Sequence, residues 1–352
     1  MRLLTIHPGA SSSTSDVADG LYYGLEQHGV ELVRYRLDQR IERSHRWLNY
    51  NWRRTKKVNP AIERPTTADV FYQAGIGTLE MALRHQVDCV LVVSAMFLHP
   101  DVIIMLKRAG LRVTVLFTES PYDQDRELKV ARLVDGCWTS ERTSVSAFQA
   151  VNPRSAYLPH AWHPLRHLEG RAPTAFDVPA HDVVFVGTGF PERITWLSSI
   201  DWTGIDLGLY GNWQHLGSRH PLRRFVREGV VDNVRAVALY HRAKIGLNLY
   251  RGGELEAQRA ESLNPRAYEL ARCGVFTLST YRAEVVDVFG DLMPTCSSPF
   301  EASVLLRRWL ADEEGRTRIQ GALPARVAES SWVHRSAHVI GDLQTLLGAR
   351  AA

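Results

Sequence analysis

The sequence predicts an α/β protein made of two parallel sheets, each covered by helices on both faces. Three observations carry that expectation. Short apolar runs alternate with helical patterns through the first half, the rhythm stops in a Pro-, Gly- and His-containing stretch near 160–179, and it restarts at His181. Strands that alternate with helices pair in parallel, because each crossover helix carries the chain back over a sheet face. With 352 residues the chain is long enough for two cores of ordinary size. The predicted boundaries are 1–165 for the first domain, 166–180 for a linker, 181–330 for the second domain and 331–352 for a C-terminal helix.

In order, Leu3–His7 reads as a strand and PGASSSTSD as a polar loop capped by Ser15 or Asp16. Val17–His28 is a helix stopped by Gly29, and Val30–Leu37 is the next strand. Cys89–Ser94, Val113–Thr118 and Gly136–Thr139 follow as strands, with Pro100–Arg108 as a helix between the first two. Ligands of such sheets gather at the carboxyl ends of the strands. That places His7 and Gly9, the Ser94–His99 segment and Glu119–Asp125 on one rim.

Arg40–Lys57 interrupts the rhythm with seven Arg or Lys, two Trp and one Tyr, and it shows little strand character. One reading is a solvated excursion with Trp47 and Trp52 tucked against the domain. The other is an acceptor-binding loop, in which Trp52 stacks and Arg53 and its neighbours meet phosphate. Further on, Asp123-Gln124-Asp125 has the DxD form of a metal-diphosphate site. Carboxylates also favour a helix's first turn, so this segment reads as opening a helix through Leu133 and no metal is assigned. His160, His163 and His167 stand close together, but Pro164 breaks any shared helical face, and a linker is expected there.

From His181, DVVFVGTGFPERITWL reads as strand, Gly-rich turn and helix. It is no GxGxxG fingerprint. Gly187, Thr188 and Gly189 nevertheless let backbone N–H groups approach an anion, and the fork of Arg193 suits a diphosphate. LYGNW follows with Tyr210 and Gly211, and Tyr240–Tyr250 reads as a strand with Asn248 near its end. Next comes ESLNPRAYELARCG, residues 261–274. Asn264 is a good N-cap, Pro265 suits the first helical position and Gly274 ends the helix, before VFTLS as a buried strand. Such a helix start is a seat for phosphate, with Arg266 beside it and Glu261 and Glu269 on either side to grip hydroxyls. Phe300–Ala352 reads as helices with Pro324 and Gly341 as weak breaks. Trp332, Val333, Ala337 and Ile340 form an apolar face there.

The net charge of +4 is mild and does not by itself imply nucleic acid. Hydrophobic and charged contents of 45% and 23% are those of a soluble globular chain. No run approaches the roughly 18 apolar residues that a membrane span needs. MRLLTIHPG moves straight into a strand without a signal-peptide pattern. Cys89, Cys137, Cys273 and Cys296 lie far apart without CxxC spacing and read as reduced core residues, so a cytoplasmic protein is expected.

The stretch 261–274 resembles the donor-site motif of retaining GT-B glycosyltransferases, in which seven residues separate two glutamates. LNPRAYELARCGVFTLS is closer still to the CgeB-like, spore-maturation glycosyltransferases, which share the Gly turn with Pro-x-Arg and the LYGNW segment in the same order. The resemblance covers roughly residues 88–340. It implies a GT-B fold, two Rossmann-like domains facing a cleft with a C-terminal helix crossing back. It also implies transfer of a sugar from a nucleoside diphosphate sugar, UDP-sugar favoured, to an acceptor hydroxyl with retention and without a tightly bound cofactor. Glu261 would then contact the sugar and Glu269 the ribose. Arg193 and Arg266 would act with Glu261 in catalysis. Gly187, Thr188, Gly189, Tyr210, Gly211, Asn248 and Asn264 would complete the donor site. His7, Gly9, Trp52, Arg53, Glu119 and Asp123 would lie on the acceptor side. The acceptor itself stays open among protein, small molecule, polysaccharide and modified DNA. Two other readings compete: a GT-B sugar-nucleotide 2-epimerase, and a non-catalytic protein that binds nucleotide-sugar or nucleic acid.

Overall fold

The structure is a computed structural model that describes residues 1–10, 13–168, 177–252 and 259–348. Ser11 and Ser12 of the first loop, and 169–176 of the predicted linker, lie outside the described residues. The chain divides into two compact units, Met1–Pro159 with Val333–Ala352, and His160–Trp332.

The first unit holds six parallel strands: β1 (Arg2–Ile6), β2 (Glu31–Tyr35), β3 (Cys89–Val93), β4 (Arg112–Phe117), β5 (Gly136–Thr139) and β6 (Ser155–Tyr157). Their order is β2-β1-β3-β4-β5-β6. Register explains the core. Leu4 pairs with Val90 and Val90 with Val113, while Ile6 pairs with Val92 and Val92 with Val115. These rows of branched side chains share one sheet face and pack with Val102, Ile103, Leu106 and Phe148. All four cysteines of the chain are free and buried.

Arg40–Lys57 is neither loop nor excursion: Leu37–Thr55 is a continuous helix of 19 residues. Leu37, Ile41, Ser44, Leu48 and Trp52 recur at helical spacing, and the helix packs on a second one, Thr67–Gly75. The Asn49 and Asn51 amides donate to the carbonyls four residues back, His45 and Trp47. Its cationic density lies on the outward face and hides the apolar stripe from a reading by composition. Trp52 is half-buried and donates from Nε1 to the Ile62 carbonyl at 3.2 Å, but Trp47 is 57% exposed rather than tucked in.

The second unit holds β7 (His181–Val186), β8 (Leu207–Tyr210), β9 (Val226–Glu228), β10 (Ala243–Asn248), β11 (Thr277–Thr280) and β12 (Thr295–Cys296). All are parallel, in the order β12-β11-β10-β7-β8-β9. Val183, Phe185, Leu207, Leu209, Ile245 and Leu247 bury one face, and Val184, Tyr210, Val237, Leu239 and Leu270 bury the other. Tyr240 belongs to a helix, Asn233–His241, rather than to the strand predicted from that position. Near the C-terminus, Pro324 and Gly341 sit inside helices Glu313–Arg326 and Trp332–Gly348 and break neither. Pro324 falls in the last turn, where it leaves one carbonyl four residues back without a helical donor, and the helix ends two residues later. The last helix buries Trp332, Ser336, Val339, Leu343 and Leu346, so its inner face is rotated from the predicted one and Ala337 is exposed. Among the described residues no helix is long and apolar enough to cross a membrane.

Candidate functional site

In the second unit the chain runs outward from β7 through β8 and β9, then returns to the other side of β7 as β10. The carboxyl ends of β7 and β10 therefore flank a topological switch point, where an open α/β sheet offers a crevice. Gly187–Gly189 follows β7, and Asn248–Tyr250 ends β10. Between β10 and β11 lies the helix Pro265–Arg272.

Its start is built as its residues dictate. The Asn264 side-chain oxygen accepts the Ala267 N–H at 3.0 Å, Pro265 occupies the first turn, and Gly274 takes φ +69° after the end. The Asn264 amide also donates to Asn248 Oδ1 at 2.8 Å, and Asn248 Nδ2 donates to Ser279 Oγ at 3.1 Å. Asn248 is fully buried. It orients the cap instead of facing a ligand, which corrects its assignment as a nucleotide contact. Pro265 has no N–H and the Ala267 N–H is engaged, so the anion-binding capacity of this helix start rests on Arg266.

The Arg266 guanidinium lies 4.8 Å from the centre of the Phe185 ring, against the Gly turn. A Cβ on Gly187 would stand 2.6 Å from Arg266 Nη2, and one on Gly211, at φ +110°, would stand 2.3 Å from the Gly187 carbonyl oxygen. Gly211 is demanded by its positive φ and its close approach to backbone, whereas a side chain at Gly187 would displace the flexible end of Arg266. Their turn is braced internally, since the Gly187 N–H donates to the Tyr210 carbonyl at 2.9 Å and the Gly189 N–H to the Asn212 carbonyl at 2.8 Å. These two N–H groups are thus not available to an anion, contrary to expectation. What the glycines provide is room beside Arg266.

Arg193 is a second correction. Its Nη1 donates to the Thr188 carbonyl at 3.0 Å and its Nη2 to the Leu249 carbonyl at 2.8 Å. The fork predicted for a diphosphate ties the Gly turn to the end of β10, across the switch point. Tyr210 is also placed differently. Its side chain is 1% exposed and its hydroxyl pairs with His181 Nε2 at 2.9 Å, on the sheet face away from Phe185. Only its backbone carbonyl serves the turn.

Glu269 lies in the second turn of the helix with its side chain 13% exposed. Burial raises its pKa above the usual carboxylate value, opposed by the nearby Arg266 charge. Burial likewise raises that of Tyr240, whose hydroxyl hydrogen-bonds Arg266. Asn233 Nδ2 donates to Glu269 Oε1 at 3.4 Å. Glu261 is half-buried in the loop before the cap. That loop is held by two buried charged residues absent from the sequence-based set. Arg282 donates to the Ala260 carbonyl, the Glu284 N–H donates to the Glu261 carbonyl, and the Leu263 N–H donates to Glu284 Oε2 at 2.5 Å. Both open a helix after β11, a position that reads as solvated, and no local signal marks them.

In the first unit, His7 and Gly9 stand at the carboxyl end of β1, with the Gly9 N–H donating to His7 Nδ1 at 3.1 Å. Burial lowers the His7 pKa, opposed by Asp38. Glu119 and Asp123 follow β4, and Glu119 Oε1 accepts the Thr14 hydroxyl at 3.4 Å, joining the loop after β4 to the first turn of the helix Ser13–Gln27. Asp123 pairs with Arg126 at 2.6 Å. Trp52 and Arg53 are not brought to this rim. Ile41 borders the Gly9 turn, and Trp52 lies eleven residues further along the helix, about 16 Å by its rise. Among the described residues no group of three His, Cys, Asp or Glu is placed to hold a metal ion.

Residues 193–341 match a family model described as glycosyl transferase-like. No curated protein matches the chain in sequence. Among solved structures, an α,α-trehalose 6-phosphate synthase from Burkholderia multivorans is similar at 12% identity with a TM-score of 0.60, over 100% of this chain and 99% of that one. An assigned UDP-N-acetylglucosamine 2-epimerase from Listeria monocytogenes is similar at 11% identity, TM-score 0.61, over 99% and 97%. AviGT4, a glycosyltransferase of avilamycin A biosynthesis, is similar at 18% identity, TM-score 0.55, over 99% and 98%. These likenesses show the fold, the GT-B pairing of two Rossmann-like domains.

Proposed function

We propose that this protein is a glycosyltransferase that moves a sugar from a nucleoside diphosphate sugar, UDP-sugar favoured, to an acceptor hydroxyl with retention of anomeric configuration. One observation carries the reading. The Asn264-capped helix start lies beside the switch-point turn, with Arg266 packed against Gly187 and with Glu261 and Glu269 before and behind it. A diphosphate leaving group needs a cation, and Arg266 offers one in the room beside Gly187. The carboxylates would hold sugar on one side and ribose on the other, as the resemblance to the Glu-x7-Glu enzymes implies. The glycosyl transferase-like match over residues 193–341 supports the same reading. The likeness to a 2-epimerase keeps a second reaction in view on the same fold.

On the acceptor side, the outward face of the Leu37–Thr55 helix carries Arg43, Arg46, Trp47, Tyr50, Arg53 and Arg54 with the rings 57% and 59% exposed. Cations and stacking surfaces at helical spacing suit an anionic acceptor. The test is incubation with a panel of nucleoside diphosphate sugars, with nucleotide release and sugar products followed by NMR. A transferase gives a glycoside of retained configuration when acceptor is present, whereas a donor converted to its 2-epimer without acceptor establishes the second reaction. An inverted product overturns retention alone.

A further inference from the structure

We propose that His167 and Asn233 are positioning residues, a one-way hydrogen-bond relay that aims Glu269 at the ribose diol and makes the site selective for ribonucleotides. The inference rests on the reading of Glu269 as the ribose contact. Direction follows from the geometry. The His163 backbone N–H donates to His167 Nδ1 at 2.9 Å, so Nδ1 carries a lone pair and the proton of the neutral ring is on Nε2. Nε2 lies 2.8 Å from Asn233 Oδ1, which therefore accepts from it. With its oxygen turned to the imidazole, the Asn233 amide presents Nδ2 to Glu269 Oε1, at 3.4 Å. Each bond fixes the next, from a backbone N–H to a carboxylate.

The relay is anchored at both ends. His167 is 2% exposed, its N–H donates to the His163 carbonyl, and His163 Nδ1 accepts the Leu165 N–H, so the histidine turn is locked on itself. Asn233 is the first residue of its helix, held by the Asp232 cap on the Arg235 N–H at 2.7 Å. Burial lowers the His167 pKa to about 4, in keeping with a neutral ring. The ring is 3.9 Å from Glu269 Oε1, too far to bond it, so Asn233 is the required intermediary. One amide N–H occupies one lone pair of the carboxylate and sets its plane. The lone pairs left are those that two vicinal hydroxyls use. The clustered histidines that suggest a linker or a metal in the sequence thus serve orientation.

The experiment is calorimetric titration with the nucleoside diphosphate that binds tightest among the uracil, guanine, adenine, cytosine and thymine forms, against its 2′,3′-dideoxy analogue. Wild type is expected to prefer the ribose form about tenfold. Asn233→Asp keeps the shape but places an ionised acceptor opposite Glu269, so it should lose most of the preference while binding the dideoxy analogue as wild type does. His167→Phe should do the same, and His167→Gln, which can still donate to Asn233, should restore it. Unchanged preference in Asn233→Asp and His167→Phe, with the preference abolished in Glu269→Ala, overturns the relay and leaves the ribose contact standing. Equal loss for both nucleotides means a merely structural role and also overturns it. No nucleotide binding, no wild-type preference, or a preference that survives Glu269→Ala overturns the ribose reading beneath it.

Discussion

Two arginines beside one turn show how neighbours of a single residue decide its work. Arg193 is bound by two carbonyls, Thr188 and Leu249, whereas Arg266 stacks on Phe185 and meets Tyr240. Hydrogen bonds to a charged group are worth roughly 1.5–3 kcal/mol. Arg193→Ala is therefore expected to lower both the melting temperature and nucleotide affinity. Arg193→Lys should recover little, because one ammonium cannot span both carbonyls as the planar fork does. Arg266→Ala should cost less in melting, where the Tyr240 hydroxyl alone loses a partner, and lose affinity for a nucleoside diphosphate but not for the nucleoside. Paired titrations and melts of the two variants check the contrast.

Glu127 gives a prediction of a different kind. It is 1% exposed, accepts the Glu119 N–H and the Ser120 hydroxyl, and burial pushes its carboxyl up to about 8. An unfolded glutamate titrates near about 4.3. Between those values the folded protein holds a proton that the unfolded chain has released, so stability falls as pH rises through the window. Glu127→Gln removes the titration and should flatten the decline, by up to about 1.4 kcal/mol for each unit of the shift. Urea unfolding of both proteins at pH 5 and pH 8 measures it.

At the scale of elements, the Leu37–Thr55 helix separates anchoring from display. Ile41 and Trp52 face inward, while Arg53, Arg54, Lys56 and Lys57 lie exposed. Replacing those four cations with Ser should lower stability by no more than about 0.5 kcal/mol for each change, about 2 kcal/mol in all, and leave the protein folded. If the outward face binds an anionic acceptor, the acceptor KM rises and donor affinity stays put, since donor and acceptor residues are drawn from different units. An unchanged acceptor KM assigns the face to solvent. The helix also marks where sequence reading fails. The Asn264 cap and the Gly274 stop were legible because cap chemistry is local. The basic helix was not, because charge density conceals an inward stripe of five positions, four of them apolar and the fifth Ser44. Arg193 is assigned to a ligand from its fork beside a Gly turn, and Tyr210 and Asn248 from the family resemblance. The partners that hold them include Asn264, His181 and Leu249, which lie 16, 29 and 56 residues away, beyond any local pattern.

At the scale of the molecule, the alternation that predicted two parallel sheets was legible because each strand's apolar run is contiguous. The face of the last helix was not, because its partners lie far back in sequence. Trp138 Nε1 donates to Asp342 at 2.7 Å across 204 residues. Val339, Leu343 and Leu346 are buried beside it in sequence. Val339→Ala should cost about 2 kcal/mol or more as a cavity. Asp342→Ala should cost about 1 kcal/mol and change the tryptophan emission, by an amount that a Trp138→Phe background abolishes. Chemical unfolding followed by that fluorescence checks both.

The assignment of Val333–Ala352 to the first unit makes the second unit an uninterrupted insertion, His160–Trp332, within a discontinuous one. On the ribosome the inserted unit has all of its own sequence before the helix that begins at Trp332 emerges, while the first lacks a piece of its core until that helix is made. The part synthesised later is thus the part able to finish first. The first unit must wait for residues 333–352, which follow the whole of the second.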